Sequence, residues 1–414
     1  MASTFTPNLN LEKPAFRDYI DAWHTVLNAN FDKVDENVSR ITDINSRFLF
    51  VDPKRTDIYT PNGTRAKPYK LIQNAINFIE SNWSPSHDNP AQVLIMPGIH
   101  TESLIIKKSG VHLQGLGMCR IRTDSGTNTR PALTISNATI SSLNSFFAND
   151  GRNDPSGAYT NLITDISLPE EITINNIEFG DPDISGVNDI MILGSGNGED
   201  FLDKYATFLG IICYGNFFIR NTNYVRIKSS SWIKGNLITF NIAGSWLEYT
   251  VISGTVSVSY NVASSQPSDI SNNGLCGGPL KIMGSLEVFG AGRVGFDNLV
   301  NTFINGNITL SDSANCKINS GYINGDINAE GATTFTFRNV FIEGSMNLSN
   351  IEGTTPCIFD GGQIITDIND DSSRLIWHDY NPANAADWFG GPPNTIKDAI
   401  DRLASKVAEE HGAV

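Results

Sequence analysis

A short pattern of hydrophobic and polar positions recurs through the middle of the chain. An isoleucine is followed two positions later by a glycine, and an aliphatic residue or methionine stands two positions after that glycine. A period of about 20 residues, lengthened in places by insertions, is typical of stacked supersecondary units. Three of the five intervals between successive glycines of the pattern are equal, and the other two are longer. The six glycines are Gly235, Gly254, Gly284, Gly306, Gly325 and Gly344.

Apolar residues alternate with polar ones between these glycines, and so short a period leaves no room for a helical pattern of about ten residues. The leucine pattern of leucine-rich repeats is absent. We therefore expect residues 93–380 to form a parallel β-helix, in which each coil makes about three short strands. The isoleucine and the aliphatic residue point inward, and the glycine turns a corner where a Cβ would clash or where φ is positive. Cys316 precedes Phe335 by the same interval that separates Gly306 from Gly325, which predicts that the two stack in the core.

Residues 46–92 are expected to form the entrance of this β-helix. Apolar residues at Ile72, Ala75, Ile76 and Ile79 have the spacing of one helical face and predict a helix over residues 69–81. The first buried strand is predicted at residues 93–98. Because the end of a β-helix has unpaired backbone groups, the helix is expected to cover that end.

Residues 1–45 combine an extended leader with a helical pattern. The apolar positions are separated by three or four residues, as in a heptad seam with one irregular step. Such a helix either packs against its own domain or forms a short oligomeric coiled coil, and the periodicity leaves both alternatives open. The seam consists of Ile20, Trp23, Leu27, Phe31, Val34, Val38 and Ile41.

The C-terminal part of the chain is divided into a Pro/Gly linker at residues 381–394 and a helix at residues 395–414. Thr395 is the expected N-cap. A helix of about 15 residues is marginally stable alone and needs a partner, either the domain body or copies of itself. Its apolar seam is Ile396, Ile400, Leu403 and Val407.

Composition and charge limit the classes of protein to which the chain can belong. The chain has 414 residues, and its 29 basic and 44 acidic side chains give a net charge of −15, which excludes a nucleic-acid partner. Hydrophobic residues make up 40%, too many for a disordered chain. Neither a secretory signal nor an apolar run of membrane-spanning length is visible, so no membrane insertion is expected.

Cysteine and histidine spacing points to no metal site. The five cysteines are scattered, no two form a Cys-x-x-Cys motif, and the six histidines have no paired spacing. We expect buried thiols in a protein that is assembled in a reducing cytoplasm, with no cofactor and no metal.

One acidic, glycine-rich stretch at residues 178–203 is the candidate region for catalysis. Glycan-cleaving enzymes use pairs of carboxylates, one of which acts as the acid. The alternative is a solvated insertion, and this is the interpretation we favour. The catalytic candidates are Glu178, Asp181, Asp183, Glu199 and Asp200.

The entrance residues resemble those of pectin-lyase-like right-handed β-helices. The resemblance covers residues 50–117 and rests on Phe50-Val51-Asp52-Pro53, on residues 67–76, and on the runs at 93–98, 100–102 and 110–115. It implies a right-handed, mainly β, pectin-lyase-like fold. It does not imply one activity, because the same entrance serves lyases, hydrolases and inert phage fibres.

The N-terminal run is similar to the virion-anchoring leader of bacteriophage tail fibres and neck appendages. This similarity implies a partner in the phage neck, tail or capsid, location in the virion, and assembly in the host cytoplasm. Such proteins are usually homotrimers, so both helical seams are expected to pack against copies of themselves, with oligomerisation through Leu27, Val34, Val38, Ile41 and the four C-terminal seam residues. The anchoring residues implied are Pro7, Asn8, Leu9, Pro14, Trp23, Asn30 and Phe31.

Aromatic residues occupy an outward position of the repeat. Trp232, Tyr322 and Phe341 each precede the inward isoleucine, and Tyr249 flanks another copy of the pattern. They could bind sugars or pack between subunits, and in a trimer we favour subunit packing.

Two functions follow as expectations. The first, which we favour, is a structural phage appendage that projects a trimeric β-helix and aids adsorption, with host surface glycan as a possible ligand. The second is a tailspike depolymerase, a hydrolase or lyase that cleaves host polysaccharide.

Overall fold

The computed structural model describes ten main ranges of the chain. These are residues 47–123, 131–138, 171–183, 189–194, 206–260, 275–290, 293–296, 302–351, 357–370 and 375–378, except positions 244, 313 and 332. Outside them, residues 4–5, 12–13, 29–30, 34, 143 and 402 are described. Contacts divide the chain into two units, Met1–Leu49 and Phe50–Val414.

The first unit contains a two-stranded antiparallel sheet. Thr4–Phe5 pairs with Glu12–Lys13, with Thr4 opposite Lys13. Ala29, Asn30 and Val34 have helical backbone conformation. A further strand is Phe48–Val51.

The second unit is built from short parallel strands that return to three positions in every coil, which we name the first, second and third columns. The first column contains Ala91–Ile95, Val111–Gly115, Ile172–Asn175, Ala206–Leu209, Val225–Lys228, Ser245–Leu247, Leu275–Gly277, Arg293–Phe296, Cys357–Asp360 and Leu375–His378. The second contains Gly98–Thr101, Cys119–Arg122, Glu178–Phe179, Ile212–Cys213, Trp232–Ile233, Thr250–Ile252, Leu280–Ile282, Thr302–Ile304 and Gln363–Ile364. Two long strands, Asn315–Ile323 and Thr334–Ile342, each run through both of these columns.

The third column forms a separate sheet of eleven parallel strands. They are Leu104–Ile106, Leu133–Ile135, Ile190–Leu193, Phe217–Asn223, Leu237–Ala243, Val256–Tyr260, Leu286–Gly290, Ile308–Leu310, Ile327–Gly331, Met346–Ile351 and Ile368–Asp370. The described residues therefore form a mainly β unit with long, all-parallel sheets, which is consistent with a parallel β-helix.

The core lies between the columns. In the second column the inward side chains from Ile121 to Ile342 are almost completely buried, while their neighbours along each strand are more exposed. Burying each such side chain stabilises the fold by roughly 1.5–3 kcal/mol. Cys316 lies opposite Phe335 in register, as the repeat interval predicts.

Four cysteines have buried thiols: Cys119, Cys213, Cys316 and Cys357. Burial raises the pKa of the Cys213 and Cys316 thiols far above the usual range. Protonated thiols in an apolar core act as small hydrophobic side chains. This agrees with the expectation of buried thiols for these four residues.

A helix at Ile72–Asn82 covers the first coil. Its buried aliphatic residues are those of the sequence pattern, although the helix begins at Ile72 and not at the expected Tyr69. The Gln73 side-chain amide donates to the Ile105 carbonyl oxygen at 3.0 Å, and its oxygen accepts from the Ile105 amide at 2.8 Å. Because Leu104–Ile106 is the end strand of the third column, Gln73 satisfies backbone groups that have no further strand beside them.

The first buried strand differs from its predicted range of residues 93–98. The strand is Ala91–Ile95, and a new strand begins at Gly98. Pro97 lies between the two strands, and a proline has no amide hydrogen with which to continue the ladder.

Outward positions of the third column are covered by the chain itself in the early coils. Met191 and Phe218 have the outward phase but are almost completely buried, in a cluster with Ile105, Ala138 and Leu143. The simple alternation of buried and exposed residues therefore fails on this face. Among the described residues, no helix has the length and hydropathy needed to cross a membrane.

Candidate functional site

Glu178 lies on the second column, directly opposite Arg120 of the preceding coil. Its Oε2 atom accepts hydrogen bonds from Arg120 Nε at 2.9 Å and from Nη2 at 2.7 Å. The Arg120 guanidinium also lies 5.4 Å from the centre of the ring of Tyr214, which belongs to the coil after that of Glu178. The hydrogen bond to Glu178 raises the pKa of Arg120. Both groups are therefore held as an ion pair along the axis of stacking.

Asp181 is a buried carboxylate with two kinds of donor. Its Oδ1 accepts the Asp183 backbone amide at 3.1 Å, and its Oδ2 accepts Arg122 Nη1 at 2.9 Å. Arg120 Nη1 lies 3.9 Å away. These contacts, first the amide and then Arg122, lower the pKa of Asp181. A general acid at neutral pH needs the opposite shift, so Asp181 is suited to stabilising charge and not to donating a proton.

The arginine partners were missed at the level of sequence. Arg120 and Glu178 are 58 residues apart, so no local spacing connects them. The available signal was a match between two strands: Arg120 occupies an outward position in one coil, and Glu178 occupies the same position in the next. Of the other candidates, the Asp183 amide supports Asp181, and Glu199 and Asp200 lie outside the described residues.

Three aromatic rings are stacked on the outer face of the second column. Phe303, Tyr322 and Phe341 lie in register on consecutive coils. Their ring centres are 5.6 Å and 5.3 Å apart, and their planes differ by only 2° and 9°. We call these three residues the aromatic row. Phe303 precedes an isoleucine of the repeat like the other two, and this is the sequence signal for its place in the row.

The aromatic row continues a mostly apolar line through earlier coils. Trp232 is 40% exposed, and its Nε1 donates to Ser253 Oγ of the next coil at 2.8 Å. The Lys281 ammonium lies 5.3 Å from the Phe303 ring centre. We call the whole line the second-column strip. In coil order it comprises Ile212, Trp232, Val251, Lys281, Phe303, Tyr322 and Phe341.

Tyr249 does not belong to the strip. It precedes the strand Thr250–Ile252, in the turn from the first column, and has a φ of 49°. It is 59% exposed.

The repeated glycines lie one above another at the corner between the second and third columns. A Cβ built on Gly325 would lie 2.6 Å from the carbonyl oxygen of Gly306, and one on Gly344 would lie 2.4 Å from that of Gly325. An added Cβ would come similarly close to atoms of the preceding coil at the other four glycines, Gly235, Gly254, Gly284 and Gly306. None of the six is among the glycines with positive φ in the described residues, so close approach and not handedness makes glycine suitable here.

The stack of glycines begins one coil before the sequence repeat. A Cβ built on Gly235 would lie 2.5 Å from the carbonyl oxygen of Gly215. In that earlier coil Cys213 replaces the isoleucine and Phe217 replaces the aliphatic residue. A looser sequence pattern, with any apolar residue at these two positions, includes this earlier coil.

A ladder of polar side chains follows the glycines. Asn216 Oδ1 accepts the Asn236 backbone amide at 2.9 Å, and Asn236 Oδ1 accepts the Thr255 amide at 2.8 Å. Further along, Asn307 Oδ1 accepts the Asp326 amide at 2.9 Å, and Asp326 Oδ1 accepts the Ser345 amide at 2.8 Å. Each side chain thus satisfies a backbone group of the next coil at the corner.

Most residues predicted for anchoring and oligomerisation lie outside the described residues. Asn30 and Val34 are helical. The remaining anchoring residues, Pro7, Asn8, Leu9, Pro14, Trp23 and Phe31, and the remaining seam residues, Leu27, Val38, Ile41, Ile396, Ile400, Leu403 and Val407, are not described. Their proposed roles stay predictions.

No group of three or more His, Cys, Asp or Glu side chains suited to a metal ion occurs in the part of the chain that the structure describes. The described geometry defines a mainly β protein of stacked parallel coils, with one salt-bridged cluster and one outward aromatic row. Comparisons of the chain with protein-family models, with curated proteins and with solved structures found no match.

Proposed function

We propose that this chain is a structural appendage of a bacteriophage virion. In this proposal the N-terminal leader attaches to a neck, tail or capsid protein. The remainder projects as a trimeric, right-handed β-helix that aids adsorption to the host surface. The similarity of the leader to virion-anchoring segments supports the location, and assembly would take place in the host cytoplasm.

The observation that carries the structural role is the use of polar side chains for stacking. Glu178 and Asp181 are bound by arginines of the preceding coil, and Asn216, Asn236, Asn307 and Asp326 bind amides of the next. Charged and amide groups that would serve catalysis in an enzyme hold adjacent coils together here. Each such hydrogen bond contributes on the order of 1 kcal/mol, and those to charged groups contribute more. A rigid, elongating stack is what a projecting appendage requires.

A tailspike depolymerase is the competing function, and an activity assay separates the two. Purified protein is incubated with host capsule or lipopolysaccharide, and reducing ends and unsaturated uronates are measured. We expect no turnover above a boiled control. Turnover by the wild type that disappears in Glu178→Gln or Asp181→Asn, with the far-UV spectrum unchanged, would show a catalytic carboxylate and overturn the non-enzymatic proposal.

The virion location needs a separate measurement. Antibody against the purified chain should label one site on intact phage particles in electron micrographs. Particles that contain none of the chain by labelling and by mass spectrometry would exclude an appendage role.

A further inference from the structure

We propose that the second-column strip is the surface through which copies of this chain contact one another. The inference rests on the trimer of the proposed function and assigns to it a particular face of the β-helix. The partner is therefore a second copy of the same chain.

In the part of the stack that the structure describes, exposed apolar side chains gather at the first coils, with Ile99, Leu116 and Met118, and along the second column from Trp232 onward. On the third column, outward apolar side chains such as Met191 and Phe218 are already buried beneath residues of the same chain. On the second column, Trp232 remains 40% exposed. The positions two residues further along the chain than the strip position of each coil form a neighbouring outward line, on which Met283 and Ile365 are 37% and 53% exposed. Phe303, Tyr322 and Phe341 of the strip are in register on adjacent coils, and contiguous apolar surface is typical of protein contact sites.

The arrangement of the rings favours a protein partner over a sugar. A sugar that binds an aromatic side chain stacks on the ring face. Both faces of Tyr322 are taken, because Phe303 lies on one side at 5.6 Å and Phe341 on the other at 5.3 Å, nearly parallel to it. A hydrogen bond to Glu343 also engages the Tyr322 hydroxyl and raises its pKa. The row presents ring edges, which pack well against apolar side chains and other rings.

The difference in charge between the strip and the rest of the chain favours a second copy of this chain as the protein partner. The whole chain has a net charge of −15, so two copies repel each other over most of their surface. The strip and its neighbouring outward line, from Ile212 to Glu343, contain two lysines, Lys234 and Lys281, and one carboxylate, Glu343. Their formal charge is +1. In a cyclic trimer each contact joins two different faces, so this strip can meet a net-negative face of the next copy.

Site-specific photocrosslinking tests the assignment. A benzophenone amino acid is placed at Tyr322 in the full-length chain, and the same amino acid at Ile58, which is completely exposed in the entrance, serves as the control. We expect covalent dimers and trimers of the chain from position 322 and only background from position 58. Mass spectrometry of the crosslinked peptides identifies the opposing face.

A second variant avoids dependence on the bulky probe. Tyr322→Lys places a charge within the strip, whereas Tyr322→Phe keeps the ring stack. By analytical ultracentrifugation we expect wild type and Tyr322→Phe at about three times 45.1 kDa. We expect Tyr322→Lys to keep the far-UV spectrum of the wild type. Its trimer should dissociate at protein concentrations at least about tenfold higher than those at which the wild-type trimer dissociates.

The outcomes separate the two proposals. A wild-type mass near 45.1 kDa contradicts the trimer itself. A wild-type trimer that gives no crosslinks from position 322, or equal crosslinks from both positions, leaves the trimer standing and rejects this surface. Crosslinking from position 322 to added host polysaccharide, and not to other copies, also rejects it in favour of glycan binding.

Discussion

Single residues at the corner of each coil are constrained by the coil below. The carbonyl oxygen of one glycine lies where the Cβ of the next would be, as Gly306 and Gly325 demonstrate. The next residue in each of these coils is polar and short, and in several coils its side chain accepts the backbone amide of the equivalent residue in the following coil, as at Asn216, Asn236, Ser285, Asn307 and Asp326. In the last three-strand coil Thr366 stands at the glycine position and its hydroxyl donates to the Glu343 carbonyl oxygen at 2.7 Å.

Gly325→Ala should destabilise the protein by roughly 1–3 kcal/mol, because the added methyl group forces two packed coils apart. The measurement is the free energy of unfolding in denaturant. Gly278→Ala is the matched control: its Cβ would meet only the flexible Glu248 side chain, with the nearest atom at 3.3 Å. Equal losses for the two variants would argue against the backbone contact as the cause.

The entrance helix illustrates the scale of elements. Leu71, at its N-cap, makes no side-chain capping bond. Instead Glu102, from the second-to-third-column turn, accepts the Ile72 amide at 2.8 Å and the Gln73 amide at 2.9 Å. At the other end Glu80 accepts the amides of Lys107 and Lys108 at 2.7 Å and 3.1 Å. The apolar spacing in the sequence predicts the buried face of the helix. It does not predict the hydrogen bonds of Glu102 and Glu80, since each joins residues that are far apart along the chain.

Glu102→Ala should weaken the attachment of the helix by about 1–2 kcal/mol, since two amides at a helix start lose their acceptor. Hydrogen exchange is expected to accelerate at residues 72–76 before the rest of the stack is affected. Glu330→Ala, at an exposed position of the third column, serves as the control and should leave exchange in the helix unchanged. Uniform acceleration throughout the second unit would show that Glu102 supports the whole stack and not the helix alone.

At the scale of the whole molecule, coils are nearly interchangeable units. Consecutive corners at Gly306, Gly325 and Gly344 are separated by coils of equal length, with each strand in register with its equivalent. In such stacks stability is approximately a sum over units and their nearest-neighbour contacts. The loss of one complete unit should therefore leave the others able to pair.

Deletion of residues 307–325, one complete coil, should preserve a folded β protein in which Phe303 stacks directly on Phe341. Deletion of only 307–315 removes the third-column strand Ile308–Leu310, so that this coil cannot close and its neighbours lose their partner in that column, and it should prevent cooperative folding. Far-UV circular dichroism and thermal unfolding compare the two variants. If both fold equally well, or if neither folds, the coils are not independent units.

What the sequence determined by itself was the local pattern: the alternation within strands, the corner glycines, the helical face at Ile72 to Ile79 and the stacking of Cys316 on Phe335. These follow from spacings of a few residues or of one coil, which are visible along the chain. Only the tertiary structure decided which coils become neighbours across long insertions. It joined Arg120 to Glu178, covered Met191 and Phe218, and aligned Phe303, Tyr322 and Phe341 face to face. The physical reason is that parallel stacking pairs residues by their position in a coil, and the insertions between coils vary in length without changing that position.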